Sequence, residues 1–242
     1  MSVLNIPLLP PFITHASLQP LDGHPCVDRL DVRFDAGHFT PSLFSTLDIP
    51  CPGHLERSVN KRRAEYLVSR YGLQQALASL GIARFVLGND ENRAPIWPAG
   101  IAGSLSHTHQ QVCALLTRDD NLLLGIDCEQ MMTLDTASEM QSMLINQRER
   151  ERLEQCSLPF NHALTVVFSL KESLYKALYP RLKQFMDFSA AEVMECYPDM
   201  QQVSLRLTQT FSAEMVAGRV FTGHAVLQPD RVMTWVVEPQ PR

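Results

Sequence analysis

Leu122-Leu123-Leu124-Gly125-Ile126-Asp127-Cys128-Glu129 is an apolar run closed by two carboxylates. Its hydrophobic residues are continuous rather than alternating, which predicts a buried strand. Side chains two apart on a strand share a face, so Asp127 and Glu129 are expected side by side at its end. Like charges that close repel unless a cation stands between them. A strand that simply ends in solvated acids is the plain alternative. Gly125 favours the sharper reading, because it lets another backbone approach the strand closely. Acids with no histidine or cysteine pattern around them suit Mg²⁺ better than zinc, and Mg²⁺ binds through a few carboxylates, water and substrate phosphates.

Downstream, Phe168-Ser169-Leu170-Lys171-Glu172-Ser173-Leu174-Tyr175-Lys176 supplies a third acid. It lies in a long predicted helix, about 161–179, whose apolar stripe is Leu164, Val167, Phe168, Leu174, Tyr175 and Leu178, with Pro180 as its stop. Glu172 and Lys176 are four apart and share a face. They read either as a surface ion pair worth about 0.2–0.5 kcal/mol or as an acid completing a metal site beside a lysine for a phosphate.

Around this pair of segments the chain is predicted to run helix then strands, twice. Half of the sixteen prolines fall within residues 1–52, so that stretch is expected to be irregular, with short strands such as 27–34. A first long helix spans about 55–80, with Gly81 as its cap. Strands follow at 101–106, 112–116 and 122–127, the last two joined as a hairpin by Arg118-Asp119-Asp120-Asn121. One helical stretch then covers about 135–156, and strands at 190–196, 203–208, 220–227 and 232–237 close the chain, with turns at Asp199 and Pro229-Asp230. The fold class is α+β, in two similar halves, 1–118 and 119–242, with no flexible linker between them.

The 242 residues carry 45% hydrophobic and 19% charged side chains and a net charge of -5. That is a globular composition, and its acidic balance argues against a nucleic-acid binder. No apolar stretch is long enough to span a membrane, and no signal peptide is seen. Six scattered cysteines without a Cys-x-x-Cys pair read as reduced thiols of a cytoplasmic protein. An anionic ligand must therefore be held by local basic clusters. Lys61-Arg62-Arg63, with Arg70 further along the same helix, is the best of these. Positions 63 and 70 are nearly eclipsed, although a solvated basic face is the plainer reading. Arg93 is a lone loop cation before Ala94-Pro95. Gly103-Ser104-Leu105-Ser106-His107-Thr108-His109 offers a hydroxyl and imidazoles at a strand end, suited to phosphate contacts or simply marking a strand-to-turn transition. A His-x-His metal site or a Ser/His nucleophile rests on less, since strand neighbours point to opposite faces.

Together these motifs resemble the 4′-phosphopantetheinyl transferases of the two-half, surfactin-synthetase-activating type. Within that family they are most similar to the branch serving enterobactin-like siderophore synthetases. Gly125-Ile126-Asp127-Cys128-Glu129 and Phe168 to Lys176 match its two central patterns, and Arg62-Arg63-Ala64-Glu65-Tyr66, Arg93-Ala94-Pro95-Ile96-Trp97-Pro98 and Gly103 to His107 stand in the same order. The resemblance covers about residues 55–190. It implies two halves related by a pseudo-twofold axis with the active site at their interface. It also implies a reaction: phosphopantetheine moves from coenzyme A to a serine of an apo carrier domain, of a peptide or polyketide synthetase, releasing adenosine 3′,5′-bisphosphate.

By the same resemblance Asp127, Glu129 and Glu172 hold Mg²⁺, and Glu172 is also the base. Lys176, with Asp127, meets the pyrophosphate, and Ser106, His107, Arg62 (or Arg63), Arg70 and Arg93 contact coenzyme A phosphates. Phe168 stands where many relatives have Trp, and Cys128 offers no oxygen ligand. His109 is assigned no role. No feature fixes the carrier-docking surface; Met140, Met143 and Leu144 could form an apolar patch for it or pack into the core. Siderophore peptide carriers are expected from the branch, fatty-acid or polyketide carriers being open. A monomer suffices, since one chain builds both halves. The rival readings are a different Mg²⁺-dependent enzyme acting on nucleotide phosphodiesters, and a binding module without chemistry.

Overall fold

The computed structural model describes residues 4–108 and 110–240; His109 lies outside them. The chain divides into two compact units, Met1–Asp120 and Asn121–Arg242. Both are mixed α+β, with an antiparallel five-stranded sheet and one long helix each.

In the first unit the sheet runs β1-β2-β3-β7-β6, built from β1 (Leu4–Asn5), β2 (Ile13–Leu21), β3 (His24–Phe34), β6 (Ala102–His107) and β7 (Gln111–Thr117). The Pro-rich start is thus more regular than its prolines suggest. β2 and β3 form a long hairpin over the two-residue loop Asp22-Gly23, where Gly23 takes φ 77°. Asp-Gly between apolar runs is a strong hairpin signal that the proline count obscured. Pro20 stands in β2 opposite Asp28 of β3, beside the register shift between Pro20 and Leu21, an irregularity of the kind at which a strand tolerates proline.

A short α1 (Leu43–Thr46) and a single turn at Gly53–Leu55 precede α2 (Asn60–Ser79). The helix starts five residues later than its apolar pattern suggests, because residues 53–58 form tight turns instead. It ends as expected: Gly81 takes φ 81° and the N–H of Ile82 closes on the carbonyl of Leu77. Gly72 brings α2 down on the sheet, since a Cβ there would lie 3.0 Å from Val32. Between α2 and β6, a two-stranded hairpin of β4 (Gly88–Asn89) and β5 (Pro95–Ile96) carries the Asp90–Ala94 loop.

The second unit's sheet runs β8-β12-β11-β10-β9, with β8 (Leu122–Gln130), β9 (Ala191–Cys196), β10 (Gln202–Leu207), β11 (Val220–Leu227) and β12 (Arg231–Pro239). The run 122–129 is a strand buried over most of its length. It is not, however, the second arm of a hairpin. β7 belongs to the first unit's sheet and β8 pairs with β12, so residues 118–121 carry the chain from one sheet to the other. Turn chemistry at 118–121 does not say which strand pairs with β8.

The helical stretch after β8 is three helices: α3 (Leu134–Leu144), α4 (Gln147–Leu153) and α5 (Phe160–Leu182). The expected single helix over 135–156 breaks at Asn146, whose side chain caps the N–H of Glu149 while Glu149 accepts from the N–H of Asn146, a reciprocal capping box. Pro180 does not end α5, which continues two residues beyond it. Only the bond to the Lys176 carbonyl is forfeited, in the last turn, and Lys183 closes the helix in the left-handed region. Leu164, Val167, Leu174 and Leu178 are fully buried, with Phe168 and Tyr175 packed at the margin of that core. The suggested 140–144 patch splits: Leu144 and Met140 pack into the core, while Met143 is 59% exposed. Among the described residues no helix is long and apolar enough to cross a membrane.

Candidate active site

Two polar constellations stand out, one in each unit. That of the second unit is built where α5 crosses β8. Gly125 makes the crossing possible: a Cβ there would sit 1.8 Å from the Ser173 carbonyl oxygen. The close approach that the sequence suggested is therefore between this strand and the helix of the Lys-Glu motif. Two residues on, Asp127 is 2% exposed. Its Oδ1 accepts from Lys176 Nζ at 2.6 Å and its Oδ2 from Ser169 Oγ at 2.8 Å. Thr234, opposite Asp127 on β12, bridges Ser169 and Ser173 through its hydroxyl, each at 2.8 Å. Thr165, Ser169 and Ser173 recur every four residues along the buried face of the helix. That recurrence is a legible sign of a buried polar seam, which the apolar stripe drew attention away from.

Glu129 and Glu172 border the same group. Burial pushes the Glu129 carboxyl up to about 7, helped by the charges of Asp127 and Glu172 and opposed by Lys176. Glu172 is raised as well, first by burial and then by Asp127, with Lys176 pulling it back. Three carboxylates thus feel one another with one ammonium among them. That excess of negative charge is what a hard divalent cation neutralises, and an all-oxygen donor set is what it takes. Asp127, Glu129 and Glu172 fit such an ion in chemistry. Among the described residues, no three His, Cys, Asp or Glu side chains already converge as a closed metal cage, and Lys176 occupies one Asp127 oxygen.

Lys171 has a different task from its motif neighbours. It is 5% exposed, and its ammonium donates to the carbonyls of Leu144 at 2.8 Å and Phe188 at 3.0 Å while pairing with Glu149 at 2.9 Å. Glu149 in turn accepts from the Val193 N–H at 2.9 Å. This buried network ties α3, α4 and β9 to α5. Its members are charged residues without an apolar period, so no pattern in the sequence marks them as buried.

The first unit contributes a cavity of about 880 Å³ lined by α2, the β4–β5 hairpin and the end of β6. Arg62, Arg70, Arg93 and His107 all border it, with Lys61, Tyr66 and His54. Its acids are Glu65 and Asp90, so the wall carries more cations than anions and suits an anionic ligand. Arg70 is built into this wall. It is 5% exposed, donates through Nε to the Leu87 carbonyl at 3.0 Å and through its other nitrogens to Ser69 and Asn89, and lies 4.4 Å over the Tyr66 ring. Arg63, one of the eclipsed pair, stacks over Phe39 and Phe44 and does not line the cavity. The Arg63 and Arg70 stripe is therefore packed, and Lys61 and Arg62 border the cavity from the exposed side.

Arg93 owes its place to a loop fixed from within. The Asp90 carboxylate accepts from the N–H groups of Asn92 and Ala94, the Asn89 amide donates to the Arg93 carbonyl at 2.6 Å, and Arg93 itself takes φ 66°. Ser106 and His107 separate, as strand neighbours do: His107 borders the cavity, while Ser106 is 8% exposed and does not line it. Gly103 leaves room for the Trp97 indole, which a Cβ there would meet at 2.7 Å. This is the physical reason for a small residue in that motif.

Comparison with known proteins adds an independent finding. Residues 52–117 match the model of the 4′-phosphopantetheinyl transferase N-terminal domain, and residues 123–226 that of the 4′-phosphopantetheinyl transferase superfamily. Enterobactin synthase component D of Salmonella typhi is 36% identical over 204 residues, covering 84% of this chain and 82% of that protein. The protein of the same name from Escherichia coli (strain K12) is 37% identical over 164 residues, 68% and 75% of the two chains. The 4′-phosphopantetheinyl transferase Npt of Nocardia iowensis is 32% identical over 146 residues, 60% and 64%.

Proposed function

We propose that this chain, which belongs to the 4′-phosphopantetheinyl transferase superfamily and is an enzyme of that class, moves phosphopantetheine from coenzyme A to a serine hydroxyl of an apo carrier domain of a peptide synthetase, in siderophore assembly. The observation that carries the reading is the second unit's group of Asp127, Glu129, Glu172 and Lys176, three interacting carboxylates around one ammonium.

The serine oxygen attacks the β-phosphorus of coenzyme A, and the bond from that phosphorus to the bridging oxygen breaks. Adenosine 3′,5′-bisphosphate leaves with the electron pair. The proton of the serine passes to Glu172, whose carboxyl is made more basic than an ordinary glutamate first by burial and then by the charge of Asp127. Lys176, oriented by Asp127, offsets charge on the pyrophosphate. Asp127, Glu129 and Glu172 would hold Mg²⁺, which when bound supplies further neutralisation of that charge. In the first unit Arg62, Arg93 and His107 are proposed to receive the nucleotide phosphates, with Arg70 stiffening the wall behind them.

Incubation of the protein with coenzyme A, Mg²⁺ and a panel of apo carrier domains tests this. One phosphopantetheine should appear on the carrier serine by intact-mass measurement, with peptide-synthetase carriers modified fastest. Coenzyme A cleavage with every carrier left unmodified would refute it. Glu172→Gln should slow transfer by about 10²–10⁴-fold if that residue is the base.

A further inference from the structure

An acid in an anion-binding wall calls for a reason. Glu65 borders the cavity of the first unit, yet its carboxylate would repel any phosphate placed there. Its side chain is only 13% exposed, and burial raises its affinity for protons, countered by the nearby charges of Lys61 and Arg62. Its Oε2 lies 3.7 Å from Nδ1 of His107, whose side chain is 43% exposed. The two residues come from different elements, α2 and β6, so helix spacing alone does not bring them together.

We propose that Glu65 is a positioning residue for His107. Its carboxylate faces the Nδ1 edge of the ring, favours the charged imidazolium, and so leaves Nε2–H as the donor offered to a ligand phosphate in the cavity. The proposal rests on reading this cavity as the coenzyme A phosphate site. The other titratable or charged groups on the lining are Lys61, Arg62 and Arg70 on α2, Arg93 and Asp90 on the β4–β5 loop, and His54 on the turn before α2. The cations disfavour a charged imidazole, and Glu65 is a lining acid within ion-pair distance of it. Glu65 therefore exchanges some direct repulsion of the ligand for a further positive donor beside the lining arginines. A helix-surface partner for Lys61, one turn away, would produce no effect on His107 at all.

A unit charge 3.7 Å away from a half-exposed ring, screened as in water at physiological salt, shifts a titration by about 0.5–1 pH unit. The test is an NMR titration of the His107 imidazole, assigned through His107→Gln, in the wild type and in Glu65→Gln, alongside coenzyme A affinity measured by calorimetry across the same pH range. The His107 midpoint should fall by about 0.5–1 unit in Glu65→Gln, and the pH midpoint of coenzyme A binding should move down in step. In His107→Gln the binding profile should no longer respond to Glu65→Gln, leaving the titration of the ligand's own phosphomonoester, whose second ionisation lies at about 6. Absolute affinity mixes lost imidazolium with lost repulsion, whereas the midpoint reads the pair alone. Should Glu65→Gln not fold, Glu65→Asp sets the charge one methylene further back and should give a smaller downward shift. An unmoved His107 midpoint would overturn the proposal while leaving the function standing. A shifted midpoint with no coenzyme A binding by the wild type would overturn the reading of the cavity, and the positioning role with it.

Discussion

Gly125→Ala puts the helix–strand crossing to the sharpest test. The added Cβ would lie 1.8 Å from the Ser173 carbonyl oxygen, 2.8 Å from its carbonyl carbon and 2.9 Å from the Ala177 nitrogen, where real contacts essentially never fall below 3.0 Å. Helix and strand must separate by at least the difference, 1.2 Å, and the obstacle is backbone, which no rotamer change can move aside. β8 is held in register with β12 at Gly125 and Val236, so the displacement falls largely on α5. Overpacking of a tight core costs about 1–3 kcal/mol, and a clash this deep belongs at the top of that range. A shift of about 1 Å at reacting groups costs on the order of 10²-fold in rate, and the 2.6 Å contact of Lys176 with Asp127 and the 2.8 Å contact of Ser169 with Asp127 both cross the displaced seam. Urea unfolding followed by ellipticity should show a loss of about 3 kcal/mol or more, and carrier modification by mass spectrometry should fall about 100-fold. Gly53→Ala, with nothing within 4 Å of its Cβ, is the control and should stay within about 0.5 kcal/mol. A Gly125→Ala protein that loses less than about 1 kcal/mol and transfers at near wild-type rate would refute the crossing as the device that sets the site.

Lys171→Met leaves the buried Glu149 carboxylate without its cation and two carbonyls without a donor; urea unfolding should show about 3–5 kcal/mol lost, and a change below about 1 kcal/mol would mean that the network is not structural. Arg70→Met keeps bulk but removes the donors to Leu87, Ser69 and Asn89, so about 1.5–3 kcal/mol should be lost and coenzyme A binding weakened, an unchanged unfolding midpoint counting against its place in the wall. Glu129 holds its proton up to about 7 in the folded chain against 4.5 as the ordinary value; between these the folded state binds more protons than the unfolded one, so stability should fall as pH rises from about 4.5 to 7. Glu129→Gln should flatten that slope, and Mg²⁺ added at pH 7 should raise the unfolding midpoint of the wild type by binding the folded carboxylates; a slope unaltered by the substitution, or a midpoint indifferent to Mg²⁺, would count against the assigned environment and metal role respectively.

What could be read in advance divides along physical lines. The strand 122–129 and the apolar stripe of α5 were legible because burial on a regular element leaves a period in the sequence. The β7–β8 pairing was misjudged because a turn records only that the chain reverses, while the partner of β8 lies about a hundred residues away on β12. Asn146 and Glu149 carried a capping box in plain sight, yet the charge-rich stretch around them looked uniformly helical. The long hairpin of β2 and β3 was hidden by counting prolines rather than asking whether each needed an N–H.

The motif Lys171-Glu172-Ser173-Leu174-Tyr175-Lys176 shows why chemistry and architecture are hard to separate in sequence. Five residues turn a helix by about 140° beyond a full turn, so its two lysines look in nearly opposite directions. Lys171 enters the packed network of Leu144, Phe188 and Glu149, whereas Lys176 reaches Asp127 from the same side as Ser169 and Ser173. Glu172, one turn before Lys176, stays on the polar side. The first lysine fixes the helix against α3, α4 and β9, and the second uses that fixed helix to hold a charge on β8. A substitution at either therefore lowers transfer by a different route: Lys171 through stability and the placing of α5, Lys176 with the fold retained. Unfolding and rate measured on the same two variants separate what the shared residue type conceals.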